Sequence, residues 1–284
     1  MTEPRIAGTG DYVSEEGGDL TDLKPIVKAT LGQPVRRIGR FISLALIGAA
    51  RCVGDAKPAP ETAVYFTTGS GDFEVTVEVM EHLFRDGFPP KPLSFINTVS
   101  NAACFYVAKQ FGLHGRSTCV GNRTFGFETV LQLALLDLKM GTVKSALVGS
   151  ADIVLEPVAV HRQRLGQAPG APIGEAAHWL WLTAEGEGAG VTDCRFFAGR
   201  EALMDWVATF DPATTVLGLG EGLDGETFGL ARAFDYRTGG PYYDSRTAAA
   251  PSAFLAQAAP GETLLHVSTD GAGRYAAFTV RATS

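Results

Sequence analysis

The chain has 284 residues, 45% of them apolar and 19% charged, with a net charge of −7. That length can bury a sizeable core as one large domain or two fused halves, and its scattered basic residues offer no stripe to a phosphate backbone, so nucleic acid is not an expected partner. The segment MTEPRIAGTGDYVSEEGGD lacks a basic leader followed by an apolar core, and no run approaches the roughly 20 apolar residues of a membrane span; the expectation is a cytoplasmic protein with no membrane partner.

Four cysteines, Cys52, Cys104, Cys119 and Cys194, lie far apart without a CxxC pair. This fits neither a zinc site nor a disulfide framework, and no metal or cofactor is expected. In chain order, VRRIGRFISLALIGAARCV (35–53) places Ile38, Phe41, Leu44, Ala45 and Ile47 at helical spacing, and TAVYFTT (62–68) follows as a strand closed by GSG. A helix is expected over 102–112, a strand at STCVG, a long helix over 125–141 and a strand over 145–151. Strands alternating with helices point to an α/β fold with buried strands. GQAPGAPIGEA (166–176) reads as a surface loop, after which HWLWLTAEG resumes as a strand.

One echo suggests duplication. AVYFTTGSGDFE (63–74) matches TTVLGLGEGLDG (214–225) in register, with Gly69 and Gly71 corresponding to Gly220 and Gly222 after a β-rich run. The order of RIAGTGDYV, RRIGRFISLALIGAA, ETAVYFTTGSGDFE, SNAACFYVAKQFGLHGRS, KMGTVKSALVGSADI, GEAAHWLWLTAE and VSTDGAGRYAAFTV resembles the β-ketoacyl synthase family of the thiolase-like superfamily. The resemblance is strongest over about 35–190 and thin over 195–260. It implies a thiolase-like five-layer αβαβα fold made of two similar halves, here 1–165 and a shortened 166–284, with a dimer formed across the strand that precedes the nucleophile turn.

In the family a cysteine ends that strand and begins a buried helix, whose N-terminus stabilises a thiolate. Counting from Gly115 upstream and from Gly141 downstream puts the nucleophile position at Thr124. Cys119 falls earlier, within the strand, where it is expected to be buried in sheet packing without that dipole. Thr124 is a weak nucleophile without a base, and its hydroxyl could instead cap the helix. The family's two histidines have no counterpart between 179 and 265, since the chain's histidines are His82, His114, His161, His178 and His266. Arg246 falls near the second histidine position, and VSTDGAGRY keeps a glycine turn while losing the family's gating phenylalanines.

Joint loss of nucleophile, bases and gate resembles a chain-length factor, a ketosynthase-like subunit without its own catalytic cysteine. That likeness implies a heterodimer with an active ketosynthase, contact with an acyl carrier protein through the complex, and no catalytic residue. Phe95, Ile96 and Phe105 are candidates for tunnel or interface, and Phe125 and Phe127 for plugging the vestigial pocket; ordinary core packing is the competing reading for all five. The alternatives are a standalone acyltransferase or hydrolase using Cys119 or Thr124, and a regulatory scaffold that keeps only the dimer surface.

Overall fold

The structure is a computed structural model and describes residues 3–14 and 22–283. The first half contains β1 (Arg5–Val13), α1 (Leu23–Leu31), α2 (Arg40–Val53), β2 (Ala63–Thr68), α3 (Phe73–Phe84), α4 (Pro92–Asn97), α5 (Ala102–Phe111), β3 (Ser117–Gly121), α6 (Gly126–Lys139), β4 (Ser145–Asp152), α7 (Val158–Arg164) and β5 (Ala176–Thr183). The second contains β6 (Gly190–Phe197), α8 (Arg200–Val207), β7 (Thr215–Leu219), β8 (Ala233–Phe234), a 3-10 turn (Arg246–Ala249) running into α9 (Ala250–Leu255), β9 (Thr263–Thr269) and β10 (Tyr275–Arg281).

Strand order is β3-β2-β4-β5-β1 followed by β6-β10-β9-β7-β8. Read from its own edge inward, each half has the same order. Each has the same directions too: β3, β2 and β4 are parallel and β5 and β1 alternate, just as β8, β7 and β9 are parallel and β10 and β6 alternate. The halves meet where Arg5 pairs with Gly190. The echo between 63–74 and 214–225 therefore falls on equivalent strands, β2 and β7. The expected boundary at 165/166 needs correction, because β5 pairs with β4 and β1 and so belongs to the first half. The Gly/Pro-rich run that suggested the boundary is a loop inserted between two strands of one sheet.

Alternation along the strands sorts side chains into layers. Val64, Phe66 and Leu147 face an outer layer of α1, α2 and α5, whereas Ala63, Tyr65 and Val148 face inward onto α6 and α9. From the other side Leu264 faces that same central layer, and Leu265 faces an outer layer built on α8. The result is helix, sheet, helix, sheet, helix. Every residue of β2 is buried because both faces are covered, which explains its unbroken apolar run. Helix α2 is buried almost all round and is apolar accordingly. It begins at Arg40 after the Gly39 cap, so the expected helical start at 35 is too early and Ile38 lies outside it. Trp179 stacks on Phe66 at 5.5 Å and needs Gly149 beneath it, where a Cβ would approach its ring to 2.1 Å.

The second half is abbreviated at its outer surface. Between β2 and β3 the chain spends 69–116 on three helices; between the equivalent β7 and β8 it spends 220–232 on turns alone.

Candidate functional site

A cavity of about 510 Å³ opens where β2, β7 and β9 end and α6 begins. Such a place, at the carboxyl ends of parallel strands and beside a helix N-terminus, is where α/β folds present their sites. Its lining draws Thr124 and Phe125 from the turn before α6, Glu221 from the turn after β7, Asp244 and Ser245 from the segment before the 3-10 turn, Thr269 from the end of β9 and Asp270 from the turn that follows. These are the stretches where the family resemblance calls for nucleophile, bases and gate.

Thr124 is exposed, and its amide donates to Asn122 Oδ1 at 3.3 Å. The expected capping role is not realised: Phe125 is the N-cap residue, and no side chain caps the helix. Phe125 holds a left-handed backbone, φ 57° and ψ 26°, which disfavours residues with a Cβ and marks this turn as strained. Its ring packs edge-on to Phe196 and stands between this cavity and a second of about 520 Å³ lined by Phe196, Phe197 and Tyr275. Phe127 also touches the first cavity, but it is buried in the central layer with its ring edge-on to Phe278.

Among the described residues no cysteine or histidine lines the cavity. His82 and His114 lie toward the surface, and the other three are buried elsewhere. His161 is pushed down to about 4 by burial and by Arg164 beside it. His178 hydrogen-bonds Asp11 at 2.5 Å and the Tyr243 hydroxyl at 2.8 Å. His266 sits within β9 against Tyr236 and Phe278 and is pushed down to about 3, chiefly by burial.

The cavity's carboxylates are all engaged. Asp244 is held by Arg123 at 3.2 Å and Arg164 at 3.3 Å, and Gly69 must be glycine because a Cβ there would meet the Asp244 side chain at 2.4 Å. Glu221 pairs with Arg237 and Arg246, each at 3.4 Å, and Asp270 pairs with Arg274 at 2.6 Å. Arg246, near the expected histidine position, turns its guanidinium onto the Arg237 and Gly240 carbonyls and Glu221. Glu128 is buried in the first turn of α6, accepts the Ser268 hydroxyl and is raised by burial, which favours its neutral form. Behind the cavity Asp152 ties the halves together, accepting from Gly69 N–H and Ser245 N–H, each at 2.8 Å, and from the Thr68 hydroxyl at 3.0 Å; burial pushes it up to about 6.

Cys119 lies on edge strand β3, opposite Phe66, and is half-buried rather than buried. Cys104 of α5 lies beside it, and a hydrogen bond from that thiol lowers Cys119 against the effect of burial. The expectation of a strand thiol without a helix dipole did not include this neighbour, 15 residues away in sequence. Cys119 is not among the lining residues of either cavity at the turn.

The remaining candidates lie on the surface. Phe95 is 60% exposed, Ile96 54% and Phe105 58%, so core packing does not account for them. Sequence reasoning missed Arg123, Arg164 and Asp244, whose pairing joins three distant segments, and Glu128, whose one signal was a charge inside an apolar helix.

Comparison with known proteins agrees with this architecture. The model of the beta-ketoacyl synthase N-terminal domain matches residues 7–168, more than half of the chain, and the chain belongs to that family. No curated protein sequence matches it. Among solved structures it is similar to the ishigamide ketosynthase/chain length factor, with a TM-score of 0.73 at 16% identity over 99% of this chain and 100% of that one. It is also similar to a beta-ketoacyl synthase from Burkholderia phymatum STM815, with a TM-score of 0.70 at 13% identity over 100% of each chain. A third is the PfaC keto synthase-chain length factor, with a TM-score of 0.72 at 11% identity over 100% of this chain and 43% of that one. At these identities the likeness defines the thiolase-like ketosynthase fold.

Proposed function

We propose that this chain is a non-catalytic, chain-length-factor-like subunit. It pairs with an active β-ketoacyl-acyl-carrier-protein synthase and shapes the tunnel that receives a growing polyketide, polyene or fatty acyl chain. The observation that carries the reading is the cavity at the α6 turn: among the described residues its lining has no thiol and no imidazole, and its carboxylates are tied to arginines or, in Glu128, buried against the Ser268 hydroxyl. A group that must accept a proton from Thr124 needs an available base within reach, and this lining supplies none.

The surface supports the assembly half of the reading. Among the described residues β3 pairs only with β2, leaving one edge of the strand open to another chain. Phe105 of α5, Leu136 of α6 and Met140 at the C-cap of α6 are more than half exposed, and both helices contact β3. Exposed apolar side chains on both sides of an open edge suit an obligate interface. Two of the similar structures bear the words chain length factor in their descriptions, which agrees with this role.

The test is co-expression with an intact ketosynthase encoded beside it, followed by size-exclusion chromatography. A 1:1 complex is expected, and a well-behaved monomer that ignores every such ketosynthase contradicts the proposal. Incubated alone with acyl donors, the chain should carry no acyl-thioester on Cys119; stoichiometric acylation that disappears in Cys119→Ser would favour a standalone acyltransferase. Within the complex, alanine at Phe95, Ile96 or Phe105 should lengthen the product. Unchanged length with a weakened complex in all three would make them interface residues only.

A further inference from the structure

Helix α3 has its amphipathic pattern turned outward. Of its twelve residues only Val79 is buried. Phe73, Val77, Met80 and Phe84 recur at i, i+4, i+7 and i+11, which at about 100° per residue gathers them into a sector of about 60°. That sector faces solvent: the four are 49%, 42%, 50% and 78% exposed. Phe88, just beyond the helix, is 67% exposed. A soluble helix ordinarily buries such a stripe, so this one is built for a surface that the described residues do not supply.

The flanks state the chemistry of that surface. Along one bank of the stripe run Glu74, Glu78 and Glu81, all exposed, against a single cation, Arg85, which pairs with Glu81 at 3.2 Å. The other bank carries Thr76 and Leu83 and no charge. An interfacial membrane helix requires the reverse, a basic flank toward anionic lipid, so a bilayer is the wrong occupant. A second copy also fails. Two such helices paired antiparallel about a twofold axis set the glutamates beside the same glutamates, and paired parallel they set them beside Thr76 and Leu83. Neither arrangement supplies cations, and the first is repulsive.

We infer that the α3 stripe docks into an apolar groove of the ketosynthase subunit that carries Lys or Arg along one bank, and that the acidic bank of α3 selects this partner over a second copy of the chain. This rests on the heterodimer proposed above and adds to it a specificity element. The stripe is contiguous in the chain with the apolar surface of α4 and α5, since α3 and α4 pack together and Phe95, Ile96 and Val99 follow with more than half of their surface exposed.

The experiment compares the full chain with two variants, Val77→Ser/Phe84→Ser and Glu74→Lys/Glu78→Lys/Glu81→Lys. The measurements are the Kd of the ketosynthase complex at low and high salt, sedimentation of the chain alone, and flotation with anionic and zwitterionic vesicles. Each variant should weaken the complex by about tenfold or more, and the lysine variant should also lose the wild type's weakening at high salt. An unchanged Kd in both variants, with the wild-type complex intact, overturns the assignment of α3 and leaves the heterodimer standing. A wild-type chain that sediments as a dimer dissolved by Val77→Ser/Phe84→Ser, or that floats with vesicles until those two residues are replaced, overturns it in favour of self-pairing or of a membrane. A wild-type chain that forms no complex with the ketosynthase removes the heterodimer and this inference together.

Discussion

The crossover from β2 to β3 and its counterpart from β7 to β8 connect equivalent parallel strands in halves of identical topology, yet they differ in almost every other respect. The first uses 69–116 for α3, α4 and α5; the second uses 220–232 and no helix. The short version shows that closing the sheet does not require the long one. In the first crossover α5 covers the sheet with Ala103, Cys104 and Val107, while α3 contributes Val79 alone and exposes the rest of its apolar residues. In the second, Leu223, Phe228 and Leu230 turn inward onto α8 and the outer face of the sheet. Apolar residues in the short crossover thus finish a core, whereas those of α3 and α4 face outward, where a partner can use them.

The comparison implies a gradient of stability effects that can be measured on the chain alone. Trp179→Ala, in the framework shared by both halves, should destabilise most, by roughly 3–5 kcal/mol in a denaturant titration, because it removes a fully buried ring stacked on Phe66 and leaves a void over Gly149. A loss no larger than that of a surface substitution would mean the two layers are not packed as described.

Asp72→Asn should have a smaller effect of opposite sign. Asp72 caps α3 at the root of the long crossover by accepting the Val75 N–H, while its Oδ2 is buried without a hydrogen-bond partner. Burial pushes this carboxyl up to about 6 against that hydrogen bond, with Glu74 and Glu78 adding in the same direction as burial. Because the folded chain holds this proton more tightly than the unfolded one, the group favours folding most below the ordinary carboxylate range and loses that contribution as pH rises through about 4 to 6. Asparagine keeps the cap and removes the charge. The melting temperature at pH 7 should therefore rise, by the equivalent of about 1 kcal/mol, and the decline between pH 4 and 6 should flatten; Asp152, shifted the same way, retains part of that slope. An unchanged pH profile would show that Asp72 is not the titrating group.

Phe84→Ser should have the smallest effect, within about 0.5 kcal/mol of the wild type, since the ring is 78% exposed and supports no core. A substantial loss of stability in the isolated chain would place α3 in the framework and erase the contrast between the two crossovers.

Local patterns in the sequence determined the elements that are long, periodic or closed by glycine: α2 apart from its start, α5, α6, β2, β3, β4 and β5, together with the repeat that pairs β2 with β7. These features depend on neighbours along the chain, so spacing alone reveals them. The family resemblance, anchored on Gly115 and Gly141, added Thr124 at the turn before α6 and the absence of histidines from the stretches where the family carries them. The boundary between the halves depended instead on which strand β5 pairs with, and a glycine-rich loop misled that reading. The cap of α6 fell to Phe125 in a left-handed backbone conformation, which the identity of Thr124 does not report. Arg123, Arg164 and Asp244 come together only when β3, α7 and the segment before the 3-10 turn converge. Above all, an apolar stripe at helical spacing reads the same whether it faces a core or solvent. For Phe73, Val77, Met80 and Phe84 the tertiary structure decided which, by packing α3 on the opposite side of the helix.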